Sequence, residues 1–186
     1  MSIERFTQSE RRYHWANALA ILFLGMTGSL IWQDLDHWRP GGVNVLVQSH
    51  VWLGGGLLVL SALVFRFFRR GSVPNAARRF NPGQRVNLRA FQALVSWMVL
   101  TGVVLNYAKA WGLSRPVRHQ IAEVHLFSAA ILGLLVLGHL AMVFLVPKNR
   151  GIVQAMLTGR VDRAVLARST PEWLSGLPEG EAVSGS

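Results

Sequence analysis

Four long apolar stretches constrain the fold of this chain more than any other feature of its sequence. They cover residues 15–32, 47–68, 88–107 and 121–146. Each approaches the length of about 20 residues that an α-helix needs to cross the hydrocarbon core of a membrane. Of the 186 residues 51% are hydrophobic and only 15% are charged, a composition typical of membrane proteins. The sequence therefore predicts an all-α fold, with a four-helix transmembrane bundle over residues 1–150 and a cytoplasmic tail over 151–186.

The first apolar stretch follows Arg11 and Arg12, as the apolar region of a secretory signal peptide would follow its basic start. It is longer than that region usually is, and no small-residue cleavage site follows Ile31. We therefore expect this stretch to be a retained helix.

The net charge of +10 follows from the predicted topology. Of the 19 basic residues, 15 flank the apolar stretches on one side of the predicted bundle, and only Arg39, Lys109, Arg115 and Arg118 fall on the other side. Because cytoplasmic loops carry an excess of Lys and Arg, this distribution predicts a multi-pass protein of the bacterial inner membrane with both termini in the cytoplasm. Topology and lipid headgroups account for the charge, so we expect no nucleic-acid partner.

The tail combines a helical pattern with a polar end. Val153, Leu157, Val161 and Val165 recur at helical intervals, which predicts a short amphipathic helix on the cytoplasmic surface. From Pro171 onward the chain is rich in Gly, Ser, Pro and Glu, which predicts a disordered end.

Histidines are the unusual feature of these apolar helices, because imidazole is a costly side chain in hydrocarbon. Along the predicted helices His50 and His125 fall near the outer face of the bundle, and His14 and His139 fall near the inner face. The sequence therefore predicts two histidine pairs, His50 with His125 and His14 with His139.

The spacing on the fourth helix supports this pairing. The fourteen residues from His125 to His139, at about 100° each, bring both side chains to one face of the helix and separate them by roughly 21 Å along its axis. His119 falls nearly opposite His139, and His37 falls in a loop. We exclude both from the predicted site.

Two imidazoles that face each other across a helix bundle predict bis-histidine ligation of a b-type haem, here twice. The chain has no cysteine, which excludes disulfides, iron–sulfur clusters and covalent c-type haem on this subunit. Gly54, Gly133 and Gly138 lie near the predicted ligands, where small residues admit a flat macrocycle. The alternative interpretation is that the histidines hydrogen-bond neighbouring helices and that Gly25, Gly28 and Gly133 are helix-packing contacts.

The sequence resembles the gamma subunit of membrane-bound formate dehydrogenases, a member of the four-helix di-haem cytochrome b superfamily. The resemblance rests on residues 5–32 with His14-Trp15, on the segment 80–85 (FNPGQR), on the two-histidine fourth helix and on the tail from 156 to 173. It implies that His14, His50, His125 and His139 ligate the iron of two b haems. It further implies a quinone site that involves Asn81, Gly83 and Gln84. Arg85 stands where the family usually has lysine.

The resemblance also implies partners. Formate would be oxidised on a subunit that bears a molybdenum or tungsten cofactor, and an iron–sulfur subunit would pass the electrons to this chain and on to membrane quinone. On its own this chain would not oxidise formate. Two alternatives stay open at this point. The first is a cytochrome b of a hydrogenase or of another quinone-linked oxidoreductase. The second is a haem-free membrane transporter or anchor.

Overall fold

The computed structural model describes residues 2–33, 44–70, 80 and 82–175, with the backbone alone over residues 61–70 and at 148 and 150. Its elements are β1 (Ser2–Glu4), α1 (Gln8–Trp32), α2 (Val45–Arg70), α3 (Pro82–Tyr107), α4 (Arg115–Phe144), a 3-10 turn (Pro147–Asn149), α5 (Arg150–Thr158), β2 (Arg160–Asp162), α6 (Arg163–Ser169) and α7 (Pro171–Leu174). The chain divides into two compact units. We call them the helical unit (Ala16–Ala62 and Ala90–Leu134) and the terminal unit (Met1–Trp15, Leu63–Arg89 and Leu135–Ser186).

The helical unit has an apolar core to which each of the four long helices contributes one buried side chain. These side chains are Ala20, Leu57, Val95 and Leu132, of which Leu132 is the most exposed at 9%. Ile21, Leu24, Leu53, Phe91 and Leu94 pack against them. The contributions recur at intervals of three and four residues along α1 and α3, so one apolar stripe of each helix faces this core.

The outer surfaces of the long helices are also apolar. Leu22, Leu134 and Leu137 are 61%, 67% and 62% exposed, which is the kind of surface that a helix presents to lipid. By length and apolarity, the helices Gln8–Trp32, Pro82–Tyr107 and Arg115–Phe144 can each cross a membrane. These features confirm the prediction of a helical membrane bundle. The helix α2 is apolar over Val45–Leu60 and continues to Arg70, and its role as a fourth span stays a prediction.

The amphipathic helix predicted over residues 153–165 is divided in the structure. Gly159 has a left-handed φ of 88° and ends α5. Its carbonyl accepts hydrogen bonds from the N–H groups of Arg5 at 2.8 Å and Phe6 at 3.1 Å. The next residues form β2, which pairs antiparallel with β1 so that Ile3 lies opposite Val161. Pairing with the beginning of the chain thus replaces the middle of the predicted helix, and only the shorter α5 and α6 are helical.

The prediction that the chain is disordered from Pro171 onward is wrong for the first residues of this segment. α7 covers Pro171–Leu174, and the side chain of Trp173 is fully buried. Trp173 belongs to a core cluster of the terminal unit with Ile3, Phe6, Ala155, Val161 and Leu166. The guanidinium of Arg5 lies 5.6 Å from the centre of the Trp173 ring. One buried tryptophan therefore orders this segment although its average composition is polar, and residues 176–186 lie outside the described part of the chain.

Candidate functional site

Capped helix starts fix the positions of the first two predicted ligands. Thr7 N–H donates to Glu10 Oε2 at 2.9 Å and Glu10 N–H donates to Thr7 Oγ1 at 3.3 Å, which is a capping box directly before α1. Asn44 Oδ1 accepts the backbone N–H three residues further on at 3.0 Å and caps α2. His14 and His50 lie in the second turns of these two helices. The caps therefore set the direction in which each ring leaves its helix.

The structure brings His14 and His139 together within the terminal unit. Their ring centres are 6.3 Å apart and their planes are inclined by 56°. The ring of the neighbouring Trp15 is nearly perpendicular to that of His14, with ring centres 5.3 Å apart and planes inclined by 80°. Trp15 also donates its indole N–H to the carbonyl of Met156 at 3.3 Å. This His14/His139 pair is therefore held beside the start of α1 and the end of α5.

His50 and His125 form an equivalent pair within the helical unit. Their ring centres are 6.4 Å apart and their planes are inclined by 68°. Each ring has a threonine partner from the preceding helix, since Thr27 Oγ1 lies 2.8 Å from His50 Nδ1 and Thr101 Oγ1 lies 2.7 Å from His125 Nδ1. Both threonines are buried. The second pair is thus anchored by hydrogen bonds as well as by packing.

A glycine follows each of these threonines and makes room for the histidine ring. A Cβ atom on Gly28 would lie 3.3 Å from His50 Cε1, and one on Gly102 would lie 3.5 Å from His125 Cε1. Sequence reasoning missed this arrangement. The signal was present as the same Thr-Gly dipeptide in α1 and α3, followed after a similar interval by a histidine in the next helix.

The remaining candidate residues lie elsewhere. His119 Nε2 lies 3.2 Å from Glu123 Oε1, and both side chains are largely exposed. Gly83 and Gln84 lie in the first turn of α3, whereas Asn81, like His37, lies outside the described residues. Segment 82–84 belongs to the terminal unit, as does the His14/His139 pair.

Each histidine pair is spaced as two ligands on opposite sides of one metal would be. A metal–imidazole bond is about 2 Å long and the ring centre lies roughly 1 Å behind the nitrogen, so the two ring centres should be about 6 Å apart. The observed separations are 6.3 and 6.4 Å. Among the described residues, no three or more His, Cys, Asp or Glu side chains gather to hold a metal ion. This donor set fits an iron whose remaining ligands come from a macrocycle, as in haem.

Glycines next to the histidines are compatible with a flat group. A side chain at Gly54, one turn after His50, would meet no described atom within 4 Å, and the same holds at Gly133 and at Gly138, beside His139. Unlike Gly28, these glycines are therefore not explained by close contact with described atoms. Their lack of a side chain leaves the approach to the imidazoles unobstructed.

Apolar outward surfaces on long helices, together with facing imidazoles and no cysteine, define the class of a b-type membrane cytochrome. The family model for prokaryotic cytochrome b561 matches residues 5–159, and the chain belongs to this family. The protein is accordingly a membrane cytochrome b that binds haem b and works in electron transfer. The match includes all four histidines of the two pairs, and it argues against a haem-free transporter or anchor. None of the curated proteins with which the chain was compared matches it.

Proposed function

We propose that this chain is the membrane anchor and electron-transfer subunit of a formate dehydrogenase, in which it binds two b haems and delivers electrons to quinone. The observation that carries the proposal is the presence of two separate histidine pairs with nearly equal ring separations of 6.3 and 6.4 Å. Two such sites in one chain suit a relay of electrons across the membrane, for which a single site would be too short.

In this proposal His50 and His125 hold one haem and His14 and His139 hold the other. When bound, each haem would supply a one-electron carrier, and its two imidazole ligands would leave its iron no place to bind oxygen. The protein holds the four rings on three helices, with His14 on α1, His50 on α2, and His125 and His139 both on α4. Two imidazoles held ready at each site favour simple electron transfer over oxygen chemistry.

We place the quinone site near the His14/His139 pair, with Asn81, Gly83 and Gln84 as contributing residues. The support is the resemblance of segment 80–85 to the corresponding segment of formate dehydrogenase gamma subunits, together with the presence of residues 82–84 in the same compact unit as this pair. Reduction of a quinone to a quinol takes two electrons and two protons. Oxidation of formate to carbon dioxide releases two electrons and one proton, so the overall reaction draws one further proton from water.

The proposed topology has four spans, with α2 as the second, in the bacterial inner membrane and with both termini in the cytoplasm. The support is the clustering of basic residues on one side of the predicted bundle. The catalytic molybdenum or tungsten subunit and the iron–sulfur subunit then lie on the outer side, next to the His50/His125 pair. The transmembrane domain in this proposal covers residues 1–150 and the cytoplasmic tail covers 151–186.

A second candidate is the cytochrome b of a hydrogenase or of another quinone-linked oxidoreductase. The family match supports this second candidate, because it ends at residue 159 and identifies a cytochrome b without identifying the protein that donates electrons to it. The resemblance to formate dehydrogenase continues through the tail to residue 173. The two candidates share the haem sites and differ only in the partner.

The deciding experiment is a reduced-minus-oxidised visible spectrum of the intact complex purified from membranes. Formate is the reductant in one sample, hydrogen in a second and dithionite in a third. Reduction of b-type bands by formate, followed by reoxidation with a soluble quinone analogue, supports the first candidate. Reduction by hydrogen and not by formate would assign the second. A complex whose bands respond to dithionite alone would contradict formate as the electron donor.

A further inference from the structure

The threonine contacts of the His50/His125 pair specify which ring nitrogen carries the proton. Thr27 Oγ1 lies 2.9 Å from the carbonyl oxygen of Phe23 and 3.2 Å from that of Leu24. A carbonyl only accepts hydrogen bonds, so the single hydroxyl hydrogen of Thr27 is directed to the backbone of its own helix. With its hydrogen on the backbone, the Thr27 oxygen is an acceptor toward His50 Nδ1 at 2.8 Å, and this arrangement favours Nδ1 as the donor.

Thr101 repeats this arrangement on the other side of the pair. Its Oγ1 lies 3.0 Å from the carbonyl oxygens of both Trp97 and Met98, so its hydrogen is also directed to the backbone. The contact of 2.7 Å to His125 Nδ1 therefore places a proton on that nitrogen as well. The two contacts thus favour the Nδ1–H tautomer of both histidines, in which Nε2 carries the lone pair that can bind a metal.

The His14/His139 pair differs in this respect. Among the described residues, no hydrogen bond to a ring nitrogen of His14 or His139 is present, and the Trp15 ring lies 5.3 Å from that of His14, centre to centre. The two sites thus combine similar ring separations with different support behind the rings. A hydrogen bond donated by the second ring nitrogen makes an imidazole a stronger electron donor to its metal and fixes the orientation of the ring.

We propose that Thr27 and Thr101 are positioning residues that hold His50 and His125 as Nδ1–H tautomers, with Nε2 toward the metal, and thereby lower the reduction potential of this haem alone. The inference rests on the proposed function, because it assumes that these two histidines are haem ligands. A more strongly donating imidazole stabilises ferric iron relative to ferrous iron, so the hydrogen bonds shift the potential downward. Gly28 and Gly102 assist the threonines, because they let each histidine ring approach the helix closely enough for its Nδ1 to reach the hydroxyl.

The test is a potentiometric titration of the purified full-length protein, with low-temperature electron paramagnetic resonance of the oxidised haems. Thr27→Val and Thr101→Val remove one hydroxyl each at nearly constant volume. Each is expected to raise the midpoint potential of one haem and to shift its g values, while the other haem is unchanged. Thr27→Ser and Thr101→Ser keep the hydroxyl and are expected to keep the original potential.

Ser128→Ala is the matched control. Ser128 is also buried in the helical unit, and its hydroxyl also donates to its own helix, at 2.7 Å to the Val124 carbonyl. Within the described part of the chain, no hydrogen bond joins it to a histidine. Its loss should leave both potentials in place. If a valine variant loses its haem, the alanine variant removes the hydroxyl without adding a branched side chain and takes its place in the titration.

Two outcomes overturn the inference, and they are distinguishable. If the unmodified protein binds no haem through His50 and His125, the proposed function fails and the inference fails with it. If the protein binds two haems and the valine and alanine variants leave both potentials and both sets of g values unchanged, the role of the threonines alone is wrong. An equal shift of both haems would likewise contradict the assignment of the threonines to one site.

Discussion

The rings of His14 and His139 lie 6.3 Å apart, centre to centre, although they come from the first and the last of the four long helices. Within the terminal unit, Trp15, next to His14, donates a hydrogen bond to the carbonyl of Met156 at the end of α5. This hydrogen bond helps to hold the His14 side of the pair in place. A contact between such distant parts of the chain makes the pair a specific feature of the fold. The contribution of each histidine can therefore be tested by replacing that residue alone.

Removal of one histidine should eliminate one haem. His139→Ala is expected to lower the haem content of the purified protein from two to one per chain, because it removes one of the two imidazoles that would hold that haem. His125→Ala is expected to remove the other haem. Pyridine haemochrome analysis measures the ratio of haem to protein directly.

His119→Ala is the control for both variants. This residue lies on the same helix but is paired with Glu123 and largely exposed. Its replacement should keep the haem content of the unmodified protein. A full haem content in both His125→Ala and His139→Ala would show that the ligand assignment is wrong.

Gly28 should tolerate a methyl group less well than its neighbour Gly25. A Cβ atom at Gly28 would lie 3.3 Å from His50 Cε1, which is tighter than most such contacts, whereas one at Gly25 would meet no described atom within 4 Å. Gly25→Ala is therefore expected to stabilise the helix by up to about 1 kcal/mol. Gly28→Ala should offset that gain, because the ring of His50 must move by a few tenths of an ångström.

Thermal unfolding and the visible spectrum report the two effects separately. We expect a shifted band for the His50/His125 haem in Gly28→Ala, a smaller shift in Gly102→Ala, where the distance is 3.5 Å, and none in Gly25→Ala. Equal spectra for all three variants would mean that the missing side chains of Gly28 and Gly102 do not determine the positions of the histidine rings.

The helical part of the fold could be predicted because it depends on local properties. Hydropathy and length identify the spans, and counting residues along a helix gives the depth of each histidine. The pairing of His50 with His125 and of His14 with His139 therefore follows from arithmetic on the sequence. The contacts between the two Thr-Gly dipeptides and the histidine rings were harder to predict. Threonine and glycine are common in packed membrane helices, and only their repeated spacing from a histidine distinguishes these dipeptides.

The terminal unit could not be predicted in the same way. The break in the predicted helix at Gly159 depends on the N–H groups of Arg5 and Phe6, which belong to the other end of the sequence. The ordered segment around Trp173 depends on the same chain end, since Arg5 and Ile3 contribute to its surroundings. A rule that averages composition over a window contains no information about such a distant partner.

Trp173 should be essential to the terminal unit. Its side chain is fully buried in the cluster with Phe6 and Leu166. Trp173→Ala is expected to lower the free energy of unfolding of this unit by about 3–5 kcal/mol, because it removes a large buried side chain and leaves a cavity. Amide hydrogen exchange of the intact protein in detergent measures this local opening.

Leu157→Ala is the control for Trp173→Ala, because Leu157 lies on α5 in the same unit but is 59% exposed. It should change exchange rates little. Exchange in Trp173→Ala as slow as in the unmodified protein would contradict the assignment of Trp173 to the core of this unit.

Gly159 should resist substitution for two separate reasons, and Gly112 allows them to be distinguished. Gly159 has a φ of 88°, and a Cβ atom there would also lie 2.9 Å from the carbonyl oxygen of Phe6. Gly112 has a φ of 69°, but a Cβ atom there would meet no described atom within 4 Å. Gly112→Ala is therefore expected to cost about 1 kcal/mol of backbone strain alone. Gly159→Ala should cost about 2–4 kcal/mol, because the strain adds to a clash with the strand connection at Arg5 and Phe6.

The location of the effect is as informative as its size. Hydrogen exchange in Gly159→Ala should accelerate at the N–H groups of Arg5 and Phe6, which both bond to the Gly159 carbonyl, and across β1 and β2. The His50/His125 haem should keep its spectrum, because that pair belongs to the helical unit. Equal costs for the two alanine variants would mean that the contact with Phe6 does not hold β1 against the tail, and that left-handed backbone strain accounts for the requirement for glycine at residue 159.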